Sequence, residues 1–293
     1  MHICINPSTF EILPMQDKQN PYIQQFNVDH KKAKEQHKAL LKALKSTGVP
    51  VAEYRLSQNN VLPDIVFVAN GGLSLPRLQS PLILLPSMKF PQRKTELPFL
   101  VDMYKKLGIP TIPFPTKDVF EGQAELKWFF GGNLAVCGPG HRSTQNSFKV
   151  LDKFFDYIYG LHGLDPPRLL ITPLISADYY HLDVAMLEVN ESTCIVHKRS
   201  MSPASIKALR DAGLTVYVID TKDSFCLNAV ISNGVLVTHK LAPGLRSTLK
   251  RLTGHRLVEV DTSEFEKSGG SVRCMTLTIA NGSAVNGGNN LVS

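Results

Sequence analysis

The amino-acid sequence predicts a mixed α/β fold in which strand, helix, strand and hairpin units form pseudo-repeats around a centre. Three observations predict it. Short β-rich runs alternate with helical ones along the chain. The units recur at intervals of about 50–60 residues. The rival, a doubly wound nucleotide-binding fold, lacks its signatures: no GxGxxG follows the first strand-like run, and no GxxxxGK precedes Ser or Thr.

The elements follow in order. Asp29 to Lys45 carries Ala33, Leu40, Leu41 and Leu44 roughly on one helical stripe, with its lysines on the opposite face. Ile65–Ala69 after Pro63 is expected to be a buried strand. Pro98–Leu107 is expected to be a helix ended by Gly108, and Thr111–Pro115 a strand. Leu134–Cys137 reads as a strand and Asn146–Tyr159 as an amphipathic helix. Leu169–Thr172, Val184–Val189 and Cys194–His197 read as strands. Pro203–Ala212 reads as a helix, with Ser202 as its N-cap and Gly213 beyond its end. Val216–Ile219 follows as a strand. The turn Ser232-Asn233-Gly234 pairs Ala229–Ile231 with Val235–His239 as a hairpin. Arg246–Leu252 reads as a helix, and Leu257–Val260 and Met275–Ile279 as the last strands.

The 293 residues are 43% hydrophobic and 19% charged, ordinary for a globular chain. No Ser/Gly/Pro-rich linker or charge block divides them, so residues 1–293 are expected to form a single catalytic domain. No apolar run is long enough for a transmembrane helix, and the first residues lack the pattern of a secretory signal. Five cysteines without a CxxC point away from a disulfide framework or zinc knuckle, towards a reducing, cytoplasmic compartment. The net charge of +7 raises the question of a nucleic-acid or membrane partner. The basic helix has no interleaved aromatic residues, so its lysines read as a solvated face.

Five short segments carry polar groups beside glycines or β-rich runs. Cys274 lies in SGGSVRC, where Gly269 and Gly270 would let the backbone approach a ligand. A lone cysteine is more often structural. A catalytic one must become a thiolate, or be captured as one by a cationic substrate. Cys4, Cys137, Cys194 and Cys226 lie in or beside apolar strand runs and read as structural. His181 and Asp183 form HLD; on a strand, both would share a face, with Leu182 turned to the core. Such a pair supplies an acid/base and a fixed anion, or equally a satisfied surface pair. It is also half of a metal site, but no third ligand stands at the required spacing, so no metal and no cofactor are expected. Glu121 and Glu125 flank a glycine in FEGQAE, and a carboxylate there could accept two N–H bonds from a guanidinium. Alone, either also reads as a loop glutamate. Asn70 precedes Gly71-Gly72 and Asn20 precedes Pro21; each alone reads as a turn residue.

Taken together and in this order, the segments QNP, FVANGG, FEGQAE, YYHLD and GGSVRC resemble those of the guanidine-modifying, or pentein, superfamily. That group holds arginine deiminases, dimethylargininases, amidinotransferases and arginine dihydrolases, and the resemblance runs from Asn20 to Cys274. It implies a five-bladed αβ propeller of ββαβ modules. It implies Cys274 as nucleophile, His181 as acid/base, and Glu121 and Asp183 as carboxylates facing the guanidinium. Arg142, in GPGHRST, matches the arginine that holds the substrate α-carboxylate, and Lys89 and Arg93 lie where similar enzymes place another such group. Asn70 departs from arginine deiminases, which have aspartate there, and resembles arginine dihydrolases. Asn20 likewise resembles a dihydrolase active-site residue. HLD is expected to separate the chain from dimethylargininases, which usually follow His-Leu with lysine.

The expected activity is therefore hydrolysis of arginine through a cysteine thiouronium, with arginine dihydrolase foremost. Deiminase, dimethylargininase, amidinotransferase and a non-catalytic guanidino-compound binder remain as alternatives. An arginine-like small molecule is the expected partner, with neither nucleic acid nor membrane; oligomerisation stays open.

Overall fold

The computed structural model describes residues 1–14, 20–23, 25–56 and 62–280. Its strands in chain order are β1 His2–Ile5, β2 Val51–Tyr54, β3 Leu73–Ser74, β4 Ile83–Leu84 and β5 Thr111–Ile112. They continue with β6 Leu126–Phe129, β7 Leu134–Cys137, β8 Arg168–Ile171, β9 Met186–Asn190 and β10 Thr193–His197. The last five are β11 Thr215–Ile219, β12 Val230–Ser232, β13 Val235–His239, β14 Arg256–Val260 and β15 Leu277–Thr278.

They form five three-stranded sheets, ordered β15-β1-β2, β3-β4-β5, β6-β7-β8, β9-β10-β11 and β12-β13-β14. Each sheet repeats one plan: an antiparallel pair, then a helix, then a strand parallel to the middle one. A parallel partner needs a crossover, and a helix supplies it each time. The crossover helices are His30–Lys45, Leu97–Lys106, Gln145–Leu161, Pro203–Asp211 and Pro243–Thr253. This is a five-bladed αβ propeller of ββαβ modules. The ring closes where β15, late in the chain, pairs antiparallel with β1 (Ile3 opposite Leu277).

Local sequence explains the helix starts. Asp29 accepts from the Lys32 N–H at 2.9 Å, and Ser202 accepts from Ser205 N–H at 3.0 Å. Thr144 and Ser147 cap each other reciprocally. In the β12–β13 hairpin, Asn233 and Gly234 take φ of 46° and 73°, the left-handed pair that a tight hairpin turn requires. The stripe of the basic helix is buried at Ala33, Leu40 and Leu44, against Phe10, Phe67 and Phe265 in one continuous cluster.

Two expected strands are corrected. Ile65–Ala69 is a turn followed by a one-turn 3-10 helix, Val68–Gly71. The run is apolar because it is buried on every side, which periodicity alone cannot distinguish from a strand. Val184–Val189 begins as a single helical turn, Leu182–Ala185, and extends only from Met186. His181 is the extended residue before that turn, so His181 and Asp183 do not share a strand face, although Leu182 is fully buried in the core. Strands β1 to β4 and β6 had no counterpart in the sequence reading. All five span only two to four residues, too few to display a period. Among the described residues, no helix is long and apolar enough to cross a membrane. All five cysteines are free and buried.

Candidate active site

The fold brings Asn20, Asn70, Arg93, Arg142, His181 and Cys274 to one cleft, walled by Phe67, Phe90 and Tyr180. Glu121, Glu125 and Asp183 stand behind this lining, fully buried. Lys89 is exposed at the rim.

The nucleophile candidate is held from two sides. Cys274 Sγ lies 3.4 Å from Asp183 Oδ2, to which its S–H donates. Asn228 Nδ2 donates to the sulfur at 3.0 Å, and Asn228 Oδ1 accepts from the backbone N–H of Cys274 at 3.2 Å. Burial, and next the charge of Asp183, push the thiol well above its ordinary pKa, so the resting sulfur is protonated. Asp183 Oδ1 has no hydrogen-bond partner among the described residues. Arg273, next to the cysteine, turns away to Glu188 at 3.1 Å.

In the same cleft, His181 Nε2 lies 2.6 Å from Glu121 Oε2. Glu121 also accepts from the backbone N–H of Lys89 at 3.1 Å and faces Arg142 Nη1 at 3.4 Å. Burial alone would raise its pKa, but Arg142, His181 and Arg93 together hold it well below the usual carboxylate range. Glu125 accepts from the Ser143 hydroxyl at 2.8 Å and lies 3.8 Å from His181 Nε2. Burial and the neighbouring Glu121 charge push it up to about 7. The two glutamates can stand this close because Gly122, at φ 63°, turns the chain between them. A Cβ there would meet Gly72 O at 2.7 Å.

Linear spacing offered no third ligand for a metal, yet folding places donor atoms of Glu121, Glu125 and His181 within 4.8 Å of one another. Their closest pair is a hydrogen bond, and a separation of 2.6 Å leaves no room for an ion between those two atoms.

The remaining residues were expected to contact substrate, and their present partners are these. Arg142 is sandwiched, its Cζ 4.6 Å from the Phe90 ring centroid and 4.9 Å from that of Tyr180. Arg93 donates to Glu96 from Nε at 3.0 Å and from Nη2 at 2.9 Å, and to Asn70 Oδ1 from Nη1 at 2.8 Å. Lys89 Nζ donates to His141 O at 2.5 Å, tethering the loop that carries Arg142. Asn20 Nδ2 donates to Ser268 O at 2.8 Å and to the Tyr180 hydroxyl at 3.3 Å. Gly269 and Gly270 do allow a close approach, but by Asn20 and Phe67 of the same chain.

Asn228, Glu96 and Tyr180 complete the site without having been singled out. An isolated asparagine in FCLNAV has no motif, and Glu96 looks like a surface residue ahead of a helix. Only Tyr180 had a signal, its place beside His181.

A family model described as N,N dimethylarginine dimethylhydrolase, eukaryotic, matches residues 6–281. The N(G),N(G)-dimethylarginine dimethylaminohydrolase of Mycobacterium tuberculosis is 30% identical over 220 residues, 74% of this chain and 67% of that protein. The bifunctional arginine dihydrolase/ornithine cyclodeaminase AgrE of Nostoc is 25% identical over 221 residues, 74% of this chain but 29% of AgrE. Among solved structures, the N-terminal domain of ArgZ, a cyanobacterial arginine dihydrolase, superposes with a TM-score of 0.80. That match has 20% identity and covers 96% of this chain and 98% of the domain. HLD therefore does not separate the chain from the dimethylargininases as expected. The chain belongs to the N,N-dimethylarginine dimethylhydrolase family, among the guanidino-group hydrolases of the pentein fold.

Proposed function

We propose that the protein hydrolyses the guanidino group of arginine through Cys274, and that it is an arginine dihydrolase. The observation that carries this is the pairing of a thiol with Asp183 and of an imidazole with Glu121 at one cleft, which Asn70 also lines. A guanidinium beside Cys274 offsets the Asp183 charge and favours the thiolate, so the cationic substrate activates its own nucleophile. The unpartnered Asp183 Oδ1 is the natural acceptor for a guanidinium N–H.

With the cation bound, the thiol proton is lost to solvent, and the sulfur attacks the guanidino carbon and forms a C–S bond. His181 Nε2 gives its proton to the departing nitrogen, and the C–N bond breaks to release ammonia. Water then attacks the thiouronium carbon and returns one proton to His181; the C–S bond breaks as the remaining hydroxyl proton passes to the sulfur, leaving citrulline and the resting thiol. Glu121 holds the imidazole and stabilises its charged form between the two steps. Arg142 faces the α-carboxylate. Repetition on the ureido carbon releases the second ammonia and leaves ornithine carrying an N-carboxylate, whose C–N bond then breaks with protonation of the nitrogen to give ornithine and carbon dioxide; Asn70 in place of a carboxylate supports that second passage. Mass-resolved products of arginine test this: ornithine is expected, and accumulation of citrulline alone makes the protein a deiminase. In Asn70→Asp the citrulline-to-ornithine ratio should rise by about tenfold or more, since a second acceptor would face the ureido oxygen.

The family match favours a second reading, removal of dimethylamine from N(G),N(G)-dimethylarginine. Release of dimethylamine in preference to ammonia would establish it. The nucleophile, imidazole and carboxylates keep the same roles in either case.

A further inference from the structure

Asn70 lines the cleft beside His181, and the two ends of its amide differ, so which end faces a ligand bears on what this corner of the cleft accepts. Three observations fix the answer. Arg93 is 5% exposed, and its Nη1 donates to Asn70 Oδ1 at 2.8 Å. The guanidinium is itself anchored by Glu96 at 3.0 and 2.9 Å and by the carbonyls of Asp64 and Phe67 at 3.1 and 3.3 Å. Turning the amide over would set its NH2 against guanidinium N–H groups, donor against donor. The asparagine is therefore not free to present either end.

The opposite end, Nδ2, donates one hydrogen to Glu121 O at 3.3 Å, while its other side faces His181 Nε2 at 3.5 Å. That nitrogen lies 2.6 Å from Glu121 Oε2, a contact that needs a proton. The carboxylate sits beside Arg142, so the proton belongs on Nε2, and Nε2 cannot also accept from Asn70. One Asn70 N–H is left without an acceptor among the described residues, and Asn70 and His181 both line the cleft.

We infer that Arg93, braced by Glu96, is a positioning residue that locks Asn70 as a hydrogen-bond donor, so that this corner of the cleft recognises the ureido oxygen of citrulline. The inference rests on the proposed binding of arginine-type ligands, but not on whether citrulline is final product or second substrate. It also separates Arg93 from the carboxylate-binding role that resemblance implied. Arginine and citrulline share the α-carboxylate and differ only at the reacting end.

The test uses that difference. In a Cys274→Ser background, which prevents turnover, arginine and citrulline are titrated calorimetrically. Adding Arg93→Lys should weaken citrulline by about tenfold or more and arginine by less than about threefold. Asn70→Ala should weaken citrulline equally, and the combination no further. Should Arg93→Lys lack a cooperative unfolding transition, Glu96→Gln keeps the guanidinium and should give the same asymmetry in weaker form. Parallel losses for both ligands would mean that Arg93 binds the shared carboxylate or only supports the fold, and would overturn the inference. An unchanged citrulline affinity overturns it too. Binding of neither ligand by Cys274→Ser alone would instead overturn the proposed function and take this inference with it.

Discussion

Glu121 and His181 meet at 2.6 Å, and that single contact joins two parts of the site. The same carboxylate oxygen faces Arg142 at 3.4 Å, so a group proposed for the remote end of the substrate also helps keep the imidazole's partner ionised. Acid/base chemistry and carboxylate recognition are thereby electrostatically connected.

Replacing His181 by alanine should lower kcat by about 100- to 10,000-fold, because one imidazole serves both protonation of ammonia and activation of water. Intact-mass spectrometry should find a Cys274 adduct whose hydrolysis has stalled. Normal turnover would remove His181 from the mechanism.

Cys274→Ser should lose at least about a thousandfold in kcat while retaining its melting temperature. Serine nearly matches the cysteine volume, and Asn228 can donate to its oxygen as it does to the sulfur at 3.0 Å. Residual activity within tenfold of the parent would exclude covalent catalysis through this side chain.

For Arg142→Ala, KM for arginine should rise by about 10- to 100-fold through loss of the carboxylate partner. Agmatine, which lacks the carboxylate, should be a poor substrate for the parent, and its KM should change little. A smaller fall in kcat should accompany both, since Glu121 loses a neighbouring cation. An agmatine preference in the parent protein would contradict the assignment.

His239 gives a stability test away from the chemistry. Its two ring nitrogens lie 3.0 Å from Glu266 and 3.1 Å from Asp223. Burial would lower its pKa, but the two carboxylates outweigh it and raise it from 6.5 to about 9. The folded protein then binds this proton more tightly than the unfolded chain does. The stabilisation is fully present below pH about 6.5 and is lost as pH rises through about 9, amounting to about 1–3 kcal/mol. Melting temperature should fall between pH 7 and 10, and His239→Gln should flatten that slope. A parallel slope in the variant would assign the loss to other groups.

Much of the site was legible because its residue types are rare together. Each segment alone reads as a turn, loop or core residue, and it is their joint presence and order, from QNP to GGSVRC, that stands out. Their partners were not legible, since a hydrogen bond between Asn228 and Cys274 joins positions 46 apart and leaves no local pattern. Resemblance alone sets Arg93 among the carboxylate-binding groups, and nothing in PQRK announces its ion pair with the buried Glu96 three residues later. In the fold, the helices and the longer strands announced themselves by period. Asn70 was placed after a strand because IVFVA is apolar throughout, whereas burial on all sides gives a tight turn the same composition.

The clasp between β15 and β1 has a consequence for biogenesis. Cys274 precedes Leu277, the first clasping residue, by two intervening positions, so the thiol and the closure of the ring leave the ribosome almost together. Until then β1 has β2 as its sole sheet neighbour, and the pairing it awaits spans nearly the whole chain, which makes closure a late, long-range event. Nascent chains short of this point lack Cys274 altogether. The thiol proposed as nucleophile thus becomes available only as the scaffold around it is completed.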